Sequence, residues 1–279
     1  MYSQITAHRG VTRSVALPSA RVAFLDLAPA GPARGTALLV PGFTGGKEDF
    51  APILDPLSDA GFRVVAADLP GQYESPGPRD RTAYTPDWLG SVVNELAKSL
   101  DDERVFLLGH SFGGLVARAA VMAAPKRYQS LVLLCSGPSA IQGARRETMA
   151  RLEPFAQRGM PAVYAARLEV YPPDPTAPER LTAFLRDRFL ASSLDGLFGM
   201  SDALLQEPDR VDELRATGVP VLVCFGQDDD AWRPALQRDM ATRLDATVVA
   251  IPGAAHSPAI ERPEATVTSL VAFWAGGTV

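Results

Sequence analysis

Three histidines and two cysteines are all that this 279-residue chain offers. Cys135 and Cys224 each lie near the end of an apolar, strand-like run. That pattern fits two buried thiols in a reducing compartment and gives no support to a disulfide framework. Neither cysteine has a histidine or another cysteine near it in the sequence, so no metal is expected. No uninterrupted apolar stretch approaches the roughly 18 residues of a membrane-crossing helix. Residues 1–16 alternate polar and apolar and include His8, Arg9 and Arg13. They hold no apolar core of a signal peptide, so a cytoplasmic location is the expectation. Neither sign of charge dominates. Lys and Arg number 27 against 32 Asp and Glu, for a formal net charge of -5, and the two signs are interspersed. Without a basic run or stripe, neither nucleic acid nor a membrane is an expected partner. Repeats and low-complexity tracts are missing as well. What is present is 47% hydrophobic residues, enough for a sizeable core in one large or two small domains.

The strongest signal in the chain is Leu107-Leu108-Gly109-His110-Ser111-Phe112-Gly113-Gly114. A short apolar run precedes it and an apolar-periodic segment follows, which predicts strand, sharp turn and helix in that order. Gly-x-Ser-x-Gly at such a junction is the pattern of a nucleophile elbow. Gly109 and Gly113 clear the space that so tight a turn needs, because glycine has no Cβ to clash. The serine hydroxyl is thereby exposed, with the positive end of the following helix beneath it.

Around this junction the chain alternates between two patterns. Residues 21–27 alternate as a strand does. Nearly continuous apolar runs at 36–40, 63–67, 105–108 and 130–134 read as strands covered on both faces. Helical spacing marks 50–60, 86–100 and 115–124, with Pro86 suited to a first turn. The alternation resumes with strands at 219–225 and 247–251 and helices at 234–244 and 264–274. This order predicts an α/β protein with a mostly parallel sheet and helices on both faces. The stretch between Cys135 and Pro220 far exceeds the dozen or so residues of a simple crossover. Helical faces at 179–191 and 194–205, broken up by prolines, predict a helical lid over 138–215. The sheet-forming core then comprises 1–137 and 216–279.

Four motifs, "PGFTGG" at 41–46, "DLPGQYES" at 68–75, "GHSFGG" at 109–114 and "GAAHSP" at 253–258, together with "GQDD" at 226–229, resemble the α/β-hydrolase family in its capped esterase and lactonase-like branch. The resemblance covers roughly residues 20 to 275. It implies that the catalytic partners follow in the order serine, acid, histidine.

The histidine also emerges from its chemistry. A serine hydroxyl is a weak nucleophile until a base takes its proton, and imidazole titrates near neutrality. His8 lies outside the alternating core, and His110 adjoins Ser111, so its side chain is expected to point elsewhere. His256 follows a strand in a glycine-bearing loop, at the carboxyl edge where α/β sheets bind ligands. The base is therefore His256. The acid lies among Asp228, Asp229 and Asp230; the family spacing Gly-x-x-Asp implies Asp229.

The oxyanion donors implied are the backbone N–H groups of Phe112, directly after the nucleophile, and of Phe43 in the 41–46 loop. Pro41 departs from the family's commoner histidine at that place. Asp68, Gly71 and Ser75 read as loop-bracing residues. Thr44, Tyr73 and Trp232, with Tyr164, Phe184 and Phe198 of the lid, are the candidate substrate contacts. The lid's aromatic and aliphatic content suggests an apolar pocket for a small or medium acyl group.

The expected activity is hydrolysis of an ester, thioester or lactone of a small-molecule acyl substrate through an acyl-enzyme on Ser111. No cofactor or metal is needed. The competing readings are an acyltransferase or cofactor-free perhydrolase using the same residues, and a receptor-like protein with slow turnover. Monomer and homodimer stay equally open.

Overall fold

The computed structural model describes residues 2–100 and 102–276. Eight strands form one sheet: β1 (Val11–Ala16), β2 (Arg21–Leu27), β3 (Thr36–Val40), β4 (Arg63–Ala67), β5 (Val105–His110), β6 (Tyr128–Leu134), β7 (Val221–Gly226) and β8 (Thr247–Ile251). Their order across the sheet is β1-β2-β4-β3-β5-β6-β7-β8. Strand β2 runs antiparallel to β1 and β4, and all pairs from β4 through β8 are parallel.

The continuous apolar runs are strands because both faces of the sheet are covered. The pleat sends alternate side chains to opposite faces. On β3, Leu38 and Val40 join one apolar layer while Ala37 and Leu39 join the other. Helices α1 (Ala51–Asp59) and α11 (Pro263–Trp274) cover the second face, contributing Ile53, Leu54, Leu57, Leu270 and Trp274. Helices α2 (Pro86–Lys98), α3 (Phe112–Ala123) and α9 (Pro234–Leu244) cover the first, through Leu89, Val93, Val116 and Met240 among others. Thr85 caps α2 by accepting from the Trp88 amide, and Pro86 occupies the first turn as expected.

Strand β1 is the one strand that the sequence does not announce. It pairs with β2 at the sheet edge, and five of its six side chains are exposed. An edge strand that buries so little carries no apolar signature.

Between β6 and β7 the chain leaves the sheet as α4 (Ala144–Leu152), α5 (Met160–Val170), α6 (Glu179–Ala191) and α7 (Leu194–Gln206). These helices have an apolar core of their own, including Val163, Ala166, Phe189 and Leu197. Ion pairs tie them down: Arg188 on α6 to Asp49 at 2.8 Å, and Arg81 to Glu153 at 2.6 Å. Helix α8 (Val211–Ala216) departs from the expected 138–215 lid. Its Val211 and Leu214 lie in the same apolar layer as α3 and α9, so α8 belongs with the body. Helix α10 (Pro258–Glu261) is a single turn before α11.

Candidate active site

The site lies at the carboxyl ends of β3, β5, β7 and β8. Strand β5 ends at His110, and Ser111 is the cap residue of α3. Ser111 has φ 54° and ψ -120°, a left-handed backbone that costs a non-glycine residue on the order of 1–3 kcal/mol. The surroundings over-determine it. The Ser111 amide donates to the Leu134 carbonyl on β6 at 2.8 Å, and the Gly114 amide donates to the Ser111 carbonyl at 2.9 Å. A Cβ at Gly109 would overlap the backbone of Gly113, and one at Gly113 would overlap the carbonyls of Val40 and Pro41. Both glycines are required where the sequence pattern placed them.

Three side chains form a hydrogen-bonded row. His256 Nε2 lies 3.0 Å from Ser111 Oγ, and His256 Nδ1 lies 2.8 Å from Asp229 Oδ1. Asp229 is buried, and its carboxylate also accepts from the Ala231 amide at 2.9 Å and from Gln237 Nε2 at 2.7 Å. The other two acids of the triplet go elsewhere. Asp228 is exposed, and Asp230 pairs with Arg145 at 2.6 Å. Since Asp229 can only accept, Nδ1 carries the proton in the neutral ring, leaving Nε2 as the acceptor for the serine hydroxyl.

His110 also belongs to the site, hydrogen-bonded to a carbonyl of the His256 loop. Its Nε2 lies 2.7 Å from the His256 carbonyl and donates to it. Burial, followed by the neighbouring His256, pushes the His110 imidazole down to about 4, so it is neutral at pH 7. The His256 loop is held from its other side by Glu261, which accepts from the amides of Ala255 and Ser257.

The loop after β3 carries Phe43 and Thr44 beside Ser111, and Thr44 has φ 58°. Gln72, buried, donates to the Gly42 carbonyl at 2.8 Å and accepts from the Leu69 amide at 3.0 Å. Asp49 accepts from the Gly46 amide at 3.1 Å while pairing with Arg188. Asp68, Gly71 and Ser75 do brace the loop after β4. Ser75 Oγ donates to the Asp68 carbonyl at 2.9 Å, and the Gly71 amide donates to the Ser75 carbonyl at 2.8 Å. Lys47 is buried on Asp68 at 2.8 Å. Burial raises the Asp68 carboxyl to about 6 against the opposing pull of Lys47.

A cavity of about 700 Å³ opens over Ser111 and His256 beneath the inserted helices. Thr44 and Tyr164 are among the residues that line it. Four other expected contacts are corrected: Tyr73, Phe184, Phe198 and Trp232 are not among its lining residues. Tyr73 stacks edge-on with Phe184 at 6.0 Å and covers Lys47 Nζ at 4.6 Å. Phe198 is buried in the core of the insertion. Trp232 is buried against Gly137, its Nε1 donating to the Ser139 carbonyl at 3.1 Å. Each large ring spends its surface on packing.

Cys135 is closer to histidines than its sequence neighbours suggest. One donor atom each from His110, Cys135 and His256 falls within 4.8 Å of the others. The set does not suit a metal. Burial, then the Asp229 charge, pushes the Cys135 thiol well above its usual range, and both histidine Nε2 atoms already face an oxygen.

A serine on a strand–helix elbow, above a mostly parallel eight-stranded sheet, defines an α/β hydrolase. The chain belongs to the alpha/beta hydrolase family, whose profile matches residues 37–269. It is 26% identical over 232 residues to a putative 2-succinyl-6-hydroxy-2,4-cyclohexadiene-1-carboxylate synthase of Bacillus subtilis, covering 80% of this chain and 84% of that protein. It is 27% identical over 230 residues to a pimeloyl-[acyl-carrier protein] methyl ester esterase of Pectobacterium atrosepticum, covering 76% and 84%. An esterase structure from Exiguobacterium antarcticum superposes with a TM-score of 0.79 at 19% identity, over 95% of this chain and all of the other, a likeness of fold.

Proposed function

We propose that the protein hydrolyses carboxylic esters, thioesters or lactones through an acyl-enzyme on Ser111. The observation that carries this reading is the row Ser111 Oγ, His256, Asp229 opening onto the cavity. Ser111 Oγ attacks the acyl carbon while His256 Nε2 takes its proton. The backbone amides of Phe43 and Phe112 donate to the developing oxyanion, helped by the N-terminal end of α3. As the carbonyl re-forms, the bond to the leaving oxygen or sulfur breaks, and His256 delivers its proton there. Water then attacks the acyl carbon, His256 takes a proton from it, and the acid departs as Ser111 regains its hydrogen. Asp229 holds the ring in the productive tautomer and stabilises the imidazolium. The inserted helices serve as a lid that shapes an acyl pocket.

The esterase among the curated relatives is consistent with this chemistry. The test is turnover of a panel of methyl esters, thioesters and lactones by the wild type and by His256→Ala. Hydrolysis of members of the panel by the wild type, lost in the variant, is the expected result. Tight ligand binding with negligible turnover on all three classes would favour a receptor-like role instead.

A further inference from the structure

The charged side chains lining the cavity each have an ion-pair or hydrogen-bond partner, with one exception among the described residues. Among its carboxylates, Asp49 is held by Arg188 and Asp230 by Arg145. Asp174 accepts from the amide and hydroxyl of Thr176, and Glu261 from the amides of Ala255 and Ser257. Arg167, on α5, also lines the cavity, but no ion pair or hydrogen bond holds its guanidinium among the described residues. It is half-buried, and its guanidinium carbon lies 5.6 Å from the centre of the Phe189 ring. Burial lowers its basicity, and no carboxylate acts to restore it. A guanidinium kept partly out of water and without a counter-ion is an unfavourable arrangement unless a ligand completes it. Its planar fork matches a carboxylate. The cavity that it lines together with Ser111 also has aliphatic groups in its wall, such as Ile141, Met149, Leu181 and Leu185.

We propose that Arg167 binds a second carboxylate carried by the acyl chain, so that the substrates are monoesters of aliphatic dicarboxylic acids. The inference rests on the esterase reading above. Arg167 is then a specificity residue: it anchors the far end of the acyl chain while Ser111 attacks the ester at the near end. The aliphatic wall covers the methylene chain between them. The products are the free dicarboxylic acid and the alcohol.

The test compares monomethyl esters of dicarboxylic acids of increasing length with methyl alkanoates in which an ethyl group replaces the free carboxylate. For the wild type, kcat/KM on the best monoester exceeds that on its neutral counterpart. In Arg167→Met this ratio falls by about tenfold to a hundredfold, the range of a charge-assisted hydrogen bond. Arg167→Lys keeps the charge and retains part of the ratio. Arg186→Gln, exposed and away from the cavity, leaves it unchanged. The effects of removing the charge from the protein and from the substrate are non-additive. A wild-type ratio at or below one, or a ratio unmoved in Arg167→Met, overturns the proposal. Folding is read separately, and Arg167→Met is expected to melt at a higher temperature than the wild type. Binding of the free dicarboxylates, measured by calorimetry, needs no turnover. Wild-type binding that is lost in Arg167→Met sustains the anchor even if the esterase reading fails, and its absence overturns the anchor even if neutral esters are hydrolysed.

Discussion

Gln237 donates its side-chain amide to Asp229 Oδ2 at 2.7 Å, the carboxylate oxygen that does not face His256. The same amide donates to the Trp232 carbonyl at 2.6 Å, while Gln237 Oε1 is buried without a partner. A buried amide that leaves its oxygen unsatisfied is kept for its donor end. That donor holds the Asp229 carboxylate in the plane that His256 Nδ1 requires. Gln237→Leu removes it and leaves a buried carboxylate oxygen bare. The expected loss is about tenfold in kcat with KM little changed, measured by steady-state kinetics on the best ester.

Asp229→Asn replaces an acceptor by a group that can donate to Nδ1, which turns the ring to the wrong tautomer. By analogy with known triads, kcat falls on the order of 10⁴-fold. Asp228→Asn, on an exposed side chain, stays near the wild type. Parallel kinetics on the two variants check the register of the acid. A large loss in Asp228→Asn with little in Asp229→Asn would move the acid by one residue.

Much of this arrangement is legible in the sequence, and the illegible parts share a cause. The central strands are readable because both faces are buried, which leaves unbroken apolar runs. Strand β1 is silent because it buries almost nothing. Ser111 and His256 announce themselves through glycine-bearing turns that only special backbone geometry requires. Gln72 and Arg167 touch residues far along the chain, Gly42 and Phe189, while Gln237 and Glu261 reach only a few residues back across irregular turns, and no periodicity or local pattern marks any of the four. The aromatic rings Tyr73, Phe184, Phe198 and Trp232 show the opposite failure. Composition identifies them as large and apolar, but not which side of the lid or loop each one packs against.

His110 is neutral in the folded protein, with its titration pushed down to about 4, whereas an unfolded chain protonates histidine near 6.5. The unfolded state therefore takes up the proton first as pH falls. Stability from this group is complete above about 6.5 and is lost as pH drops towards 4. Asp68, whose carboxyl is raised to about 6, contributes with the opposite sign over the same range, so the His110 share is read as the difference in melting temperature against pH between the wild type and His110→Gln. His110→Gln should flatten this part of the slope, at the cost of a weaker hold on the His256 carbonyl.

Gly113→Ala places a methyl group against the carbonyls of Val40 and Pro41, both on backbone that cannot yield. Destabilisation of about 3 kcal/mol or more is expected, read by denaturant unfolding. Ala at this position with unchanged stability would mean that the elbow is less tight than described.

The most direct test of the central claim is labelling with a fluorophosphonate serine probe, followed by intact-mass measurement, on the wild type and on Ser111→Ala. One adduct on the wild type and none on the folded variant is the predicted result. An adduct that persists in Ser111→Ala, or none on the folded wild type, would contradict an activated nucleophile at Ser111.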